Sequence, residues 1–409
     1  MEEFIMLNYS LSADAATEPW QRYQAIYVHI PFCVQKCLYC DFASYAGYQD
    51  AQKQEYVQAV AQELAARREE AQYLDEAASI YFGGGTPSTL LTECLTQLVE
   101  ALKANGFWRR PREATIEVNP GTADLAKLQA LRALGFDRIS FGVQSLQDSE
   151  LRTIGRIHTA QQALEAVALA REAGFRRINA DLIYGLPGQT LASLRDTLER
   201  LTATGIEHLS VYGLIVEEGT PLEKLVDSGR LQLPDEDEAA DMYELVQKFL
   251  HEAGFARYEI SNYAKQGQQS QHNIVYWQYH PYLGFGAAAC GFDGGARRTA
   301  AESVQEYVEQ AGQLTPENWR MSSLYTVEEL DASLQLEEFM FMGLRRSAGA
   351  QLAEARTRFG VDVLQRFGND LQRFIDGGFV EYDAESEVLR LTERGMAVGN
   401  QIFDVFVIN

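Results

Sequence analysis

Apolar residues alternate along this chain between two rhythms. Short runs rich in β-branched and aromatic residues at 25–32, 79–82, 114–118, 138–143, 177–184 and 208–215 read as strands. Between and after them lie longer stretches with helical apolar spacing, at 49–73, 90–104, 123–134, 159–173, 191–204 and 235–252. Six strand–helix units in succession predict an α/β protein whose parallel strands, joined by right-handed crossovers, curl into an incomplete (β/α)6 barrel. In such a barrel the reactive groups sit on loops at the carboxyl ends of the strands.

The rhythm changes near residue 326. Helical patterns at 330–345, 350–359 and 361–376 precede a hairpin at 379–391 and a closing helical stretch at 392–403, which together predict a winged-helix-like α+β domain. The chain thus divides into a leader at 1–24, the partial barrel at 25–260, a connecting segment at 261–325 and the carboxy-terminal domain at 326–409. A winged helix suggests DNA only by analogy of shape. Glu381, Asp383, Glu385 and Glu387 in the expected wing oppose phosphate, so the domain reads as a substrate cover or a partner surface.

With 409 residues, 46% of them hydrophobic, the chain can bury a large core. A net charge of −23 argues against nonspecific affinity for nucleic acid or an anionic membrane. The leader carries Glu2, Glu3, Asp14 and Glu18 without a long apolar core, so it does not read as a signal peptide, and no apolar run reaches membrane-spanning length. The expectation is a cytoplasmic protein that meets a membrane only peripherally, through partners. Its five cysteines would stay reduced there and available to metal.

Candidate chemistry follows the first strand. Cys33, Cys37 and Cys40 supply three thiolates where a [4Fe–4S] cubane needs four, so one iron would remain open to a small chelating ligand. Zinc is the competing metal, but structural zinc sites close a tetrahedron, often with paired ligand spacings, and no second cysteine pair follows. Cys94 and Cys290 read as ordinary buried thiols and His29 as structural. The other motifs also follow strands: the glycine run Gly83, Gly84 and Gly85, Glu117, Gln144, Asp181, and the turn from Gly185 to Gly188. Consecutive glycines allow close backbone approach to a ligand. Glu117 and Asp181 can accept hydrogen bonds from hydroxyls or an ammonium, and Arg156 can clamp a carboxylate. Taken singly, each reads more readily as a surface ion pair or a helix cap.

On the Cys33, Cys37, Cys40 spacing and the strand-end motifs, residues 25–260 resemble the radical S-adenosylmethionine (SAM) superfamily. That resemblance implies a [4Fe–4S] cluster on the three cysteines and SAM chelated to the open iron, whose reductive cleavage gives a 5′-deoxyadenosyl radical. It further implies that Tyr39 packs beside cluster and adenine, that Gly84, Gly85 and Thr86 meet the methionine moiety, and that Tyr27, Glu117, Gln144, Arg156, Asp181 and Ile215 line the SAM pocket. Within the superfamily, the phrase from Tyr27 to Cys33 and the carboxy-terminal region resemble oxygen-independent coproporphyrinogen III oxidases. Those oxidases carry a further cysteine where Phe42 stands here, a departure shared with the related HemW group, regarded as haem chaperones. The run from His272 through Asn273 to Tyr276 and Trp277 matches the His-Asn-x-x-Tyr-Trp signature of that group.

The resemblance implies haem as cargo, with His272 as a candidate iron ligand and His280 as a second. The bland reading of the same motif is a turn cap with its aromatic residues packed at a domain junction. Two functions stay in competition: a haem chaperone whose cluster and SAM gate homodimerisation or transfer to an acceptor such as a respiratory haem protein, and a radical oxidoreductase acting on porphyrinogen side chains. Either would draw on a small electron-donor protein, and neither on nucleic acid.

Overall fold

The computed structural model describes residues 11–14 and 17–407. Glu2 and Glu3 of the expected leader lie outside them. Six strands, β1 (Tyr23–Ile30), β2 (Leu74–Gly84), β3 (Ala114–Val118), β4 (Arg138–Gln144), β5 (Arg177–Tyr184) and β6 (His208–Gly213), pair in that order, all parallel. Helices α1 (Asp50–Ala66), α2 (Thr92–Ala104), α3 (Leu125–Leu134), α4 (Ala160–Glu172), α5 (Leu191–Thr202) and α6 (Glu236–Glu252) lie along the sheet. Several begin at side-chain caps that satisfy otherwise orphaned N–H groups, among them Asp124, Thr159, Thr190 and Asp235.

The two faces of the sheet differ because side chains alternate along a strand. Ile26, Val28, Ile80, Phe82, Ile116, Ile139, Phe141, Ile178, Leu182 and Leu209 are buried in one hydrophobic core with the helices. The intervening residues face the barrel interior and are polar: Tyr81, Glu117, Ser140, Asn179, Asp181 and Ser210. Parallel pairing sets Glu117 beside Ser140, Ser140 beside Asn179 and Asn179 beside His208. Asn179 accordingly donates to the hydroxyls of Ser140 (2.7 Å) and Ser210 (3.1 Å) and to Asp181 (2.8 Å). Buried polar groups persist only when hydrogen-bonded in this way, so the lattice holds the interior polar without collapse.

The sheet does not close. Among the described residues twelve strands form one open sheet. Segment 261–325 does more than connect domains: β7 (Tyr282–Phe285) pairs parallel with β1, and β8 (Cys290–Phe292) and β9 (Ala296–Ala300) continue the sheet antiparallel. A fourth strand, β10 (Tyr325–Glu329), forms the edge. These strands are short, and glycines interrupt β7 and β8, so they leave little periodic signal. The extension is fastened to α1 by buried Glu63, which accepts from Gly286 N (2.9 Å) and from the hydroxyls of Tyr307 (2.5 Å) and Tyr325 (2.8 Å) while pairing with Arg67 (2.8 Å).

Beyond β10, helix Ala332–Leu344 begins a unit with its own hydrophobic core, which includes Leu336, Phe339, Met340, Phe359 and Leu371. A three-stranded sheet orders Ala350–Gln351, Val388–Leu391 and Val380–Asp383, with helices Leu352–Phe359 and Val363–Asp376 between the first strand and the hairpin. This is the winged-helix arrangement. Phe292 of β8 and Tyr279 share its core, which packs the unit against the extended sheet.

Candidate functional site

The cysteine loop leaves the carboxyl end of β1 and is pinned at several points. Leu38 N donates to Ile154 O (3.1 Å), Leu222 N to Leu38 O (2.9 Å), and Tyr45 N to Pro31 O (2.7 Å). His29 Nε2 lies 2.9 Å from Ala43 O, so this imidazole is structural in a definite sense: it ties β1 to the far end of the loop. The thiols of Cys33, Cys37 and Cys40 all line one cavity of about 400 Å³ at the carboxyl ends of β2 to β6.

Opposite the thiols, the loop after β2 approaches without side chains. Gly84 has φ +109, and a Cβ there would fall 2.4 Å from the His29 ring. A Cβ on Gly85 would fall 2.9 Å from both Phe32 N and Phe32 O, the backbone that leads into Cys33. Gly85 N and Thr86 N donate to Ile30 O (2.9 Å) and Phe32 O (2.8 Å), so the two loops are stitched together. Thr86 Oγ1 lies 3.6 Å from Cys33 Sγ and accepts from Asn119 Nδ2 (2.7 Å). Asn119 Oδ1 in turn accepts from Arg156 Nη2 (2.8 Å), and Arg156 Nη1 reaches Cys37 Sγ (3.4 Å). Arg156 also donates to Gly142 O, and its buried Nε has no partner among the described residues. The guanidinium therefore serves the cysteine loop more than it stands free to clamp a ligand carboxylate.

Glu117 and Asp181 hold the cavity floor. Glu117 accepts from Tyr81 Oη (2.8 Å) and Gly84 N (3.1 Å), yet burial, with Asp181 adding to it, pushes its carboxyl up to about 7. Burial also raises Asp181, against hydrogen bonds from Ser140 and Asn179. Gln144 follows a register shift in β4 and takes φ 66, uncommon for a non-glycine residue. Backbone held in such a conformation clusters at functional sites. Tyr39 packs on a small cluster of Ile154, Ile183 and Leu186, and Ile215, 67% exposed, stands at the rim.

The raised carboxyl has a measurable consequence. Between about 4.5, where an unperturbed glutamate releases its proton, and about 7, the folded chain keeps a proton on Glu117 that the unfolded chain has lost. Stability of the ligand-free protein should therefore fall as pH rises through that window, by about 3 kcal/mol at most. Denaturant titrations across pH should show that dependence flattened in Glu117→Gln. An unchanged pH slope in the variant would contradict the assignment.

Two of the expected site residues are not in this cavity. Tyr27 lines a second cavity of about 560 Å³ that shares Phe42, Gly84 and Glu117 with the first. His272 lines neither: it is buried, with Nδ1 3.1 Å from Ser79 Oγ and Nε2 2.8 Å from Tyr276 Oη, and burial pushes it down to about 3. Its helix, Gln271–Trp277, presents Asn273 to the first cavity and Tyr276 to the second, so the motif forms part of both walls with His272 behind them. His280 does line the second cavity. The structure adds Tyr81, Asn119, Arg138, Ser140, Asn179 and Tyr212 to the first. Strand alternation could have found Tyr81, Ser140 and Asn179, since each lies two residues along its strand from another interior position.

The donor set fits the cofactors the motif implies. Three thiols, none of them in a disulfide, line one cavity. A cubane takes one thiolate per iron at separate corners. The glycine cradle and the buried acceptors then leave room for a polar ligand beside them. This partial barrel with three cysteines after its first strand defines a radical SAM protein, and the Radical SAM superfamily matches residues 27–201. The HemN C-terminal domain family matches residues 330–398.

The chain is 37% identical to the haem chaperone HemW of Bacillus subtilis, over 94% of this chain and 99% of that one. It is 33% identical to HemW of Lactococcus lactis, over 95% and 98%. The chain belongs to the HemW family. Among solved structures, coproporphyrinogen III oxidase (HemN) from Escherichia coli superposes with a TM-score of 0.79 over 96% of this chain and 92% of that one, at 23% identity, a likeness of fold.

Proposed function

We propose that the chain is a haem chaperone that carries a [4Fe–4S] cluster on Cys33, Cys37 and Cys40, binds SAM at the iron left open, holds haem as cargo and passes it to an acceptor protein. The observation that carries this reading is similarity along nearly the whole length of curated proteins named for that activity. Phe42 supports it: the exposed phenyl ring stands between the two cavities, where a thiol would be needed for the resemblance to a decarboxylating oxidase to extend to this position.

In this reading the bound cluster and SAM supply one-electron chemistry or a ligand-sensing switch. The chain's own residues do the positioning. Gly84 and Gly85 bring backbone against the methionine moiety, Thr86 and Asn119 relay Arg156 to the thiolates, and Glu117 and Asp181 offer acceptors to ammonium and ribose hydroxyls. Val34, Phe42 and Ile157, all exposed, give the cysteine loop an apolar rim suited to a small electron-donor protein. Among the described residues no helix is long and apolar enough to cross a membrane.

Anaerobic assay of the reconstituted protein with a strong reductant separates the two functional classes. The expected result is uptake of haem and its transfer to an apo-haem protein, with coproporphyrinogen III left intact. Appearance of decarboxylated tetrapyrrole would establish an oxidoreductase instead.

A further inference from the structure

The second cavity contains none of the three candidate cluster cysteines, and at about 560 Å³ it is within the range of cofactor sites. It lies between the barrel mouth and the carboxy-terminal unit, with β7 and β8 supplying Tyr282 and Phe292 and helix Ala332–Leu344 supplying Met342. Its walls are mostly flat rings. Tyr276 and Tyr282 meet edge to face with centroids 4.6 Å apart, and Tyr279 and Phe292 lie 4.7 Å apart. Such walls suit a large, rigid, apolar plane.

One imidazole in that wall is held at one nitrogen only. His29, His208 and His272 each have both ring nitrogens hydrogen-bonded. Nε2 of buried His280 faces Glu354 Oε1 at 3.7 Å, a carboxylate that Arg358 also pairs with (3.0 Å), and among the described residues its Nδ1 has no hydrogen-bond partner. A carboxylate behind one nitrogen is how proteins orient a histidine whose other nitrogen binds metal. Burial lowers the proton affinity of this ring, which favours the neutral form that ligation requires.

We propose that this cavity is the seat of the haem cargo and that His280, oriented by Glu354, is the side chain that meets the iron. The placement rests on the haem-chaperone reading and refines it. His272 becomes a positioning residue that holds the Tyr276 wall through its 2.8 Å hydrogen bond. Phe42, Gly84 and Glu117 line both cavities, so cargo and SAM would share a partition and each could sense the other. Glu354 belongs to the carboxy-terminal unit, so that unit supplies the support for the ligand as well as the Met342 wall.

Haemin titration of the full chain tests the placement. His280→Ala should weaken haemin at least tenfold and shift the Soret band, with added imidazole restoring part of the wild-type spectrum. Met342→Trp should fill the cavity and exclude haemin with His280 intact, while His272→Ala keeps the wild-type ligand signature. Far-UV circular dichroism confirms folding, and should His280→Ala fail to fold, Met342→Trp alone decides. Wild-type affinity and spectrum in the folded variants, or loss of the ligand signature in His272→Ala alone, would overturn the placement while haem binding stands. A wild-type chain that takes up no haemin overturns the chaperone reading and this placement with it.

Discussion

Replacement of Cys37 by serine should abolish cluster assembly. The thiol lies in the shared cavity with Cys33 and Cys40 and is the one that Arg156 contacts, at 3.4 Å. With only three thiolates available, each iron they hold has one protein ligand, and a serine hydroxyl, far less acidic than a thiol, cannot replace the anionic sulfur. Iron and sulfide content after anaerobic reconstitution should therefore collapse, along with the visible charge-transfer absorption. Cys94→Ser should keep the full cluster, because Cys94 is buried on α2 and donates to Gln54 (3.0 Å), away from the cavity. Haem uptake should survive in Cys37→Ser at least in part, since the second cavity contains none of the three cysteines. A retained cluster would contradict the ligand assignment, and complete loss of haem in a folded variant would mean that the two sites are one.

Gly84→Ala should be nearly as damaging by a different route. At φ +109 an L-residue is strained, at about 1–3 kcal/mol. The new Cβ would also sit 2.4 Å from the His29 ring, which cannot swing aside cheaply because Tyr27 Oη (3.0 Å) and Ala43 O (2.9 Å) hold both its nitrogens. Overpacking of this kind adds a further ~1–3 kcal/mol. The displacement travels through His29 into the end of the cysteine loop, so the expected outcome is destabilisation of about 3 kcal/mol with at least tenfold weaker SAM binding. Equilibrium unfolding and SAM titration read the two effects. In a His29→Ala background the steric part should vanish and the backbone part remain, giving a non-additive cycle. Full additivity would show that the clash is not the cause.

Much of this architecture is written in local pattern. The apolar runs of β1 to β6 survive as strands because their alternate residues pack in one core with the helices, and the cysteine loop, the glycine cradle, Glu117 and Asp181 line the cavity at the strands' carboxyl ends. Other features depend on distance in sequence. The relay from Arg156 through Asn119 to Thr86 joins three loops and has no periodic signature. Strands β7 to β9 are four, three and five residues long, too short to show a period. Tyr27 and His272 show the limit of motif reasoning most clearly. A strand period tells which face a side chain takes, but not which of two adjoining cavities lies over it, and a signature histidine can be a buried support for its neighbour.

The proposed function requires that the three thiolates hold a cubane with one iron corner open to SAM. Electron paramagnetic resonance of the anaerobically reconstituted, reduced protein with and without SAM tests that arrangement. The expected result is a [4Fe–4S] signal that SAM shifts. A chain that retains zinc, or a cluster whose spectrum SAM leaves unchanged, would contradict it.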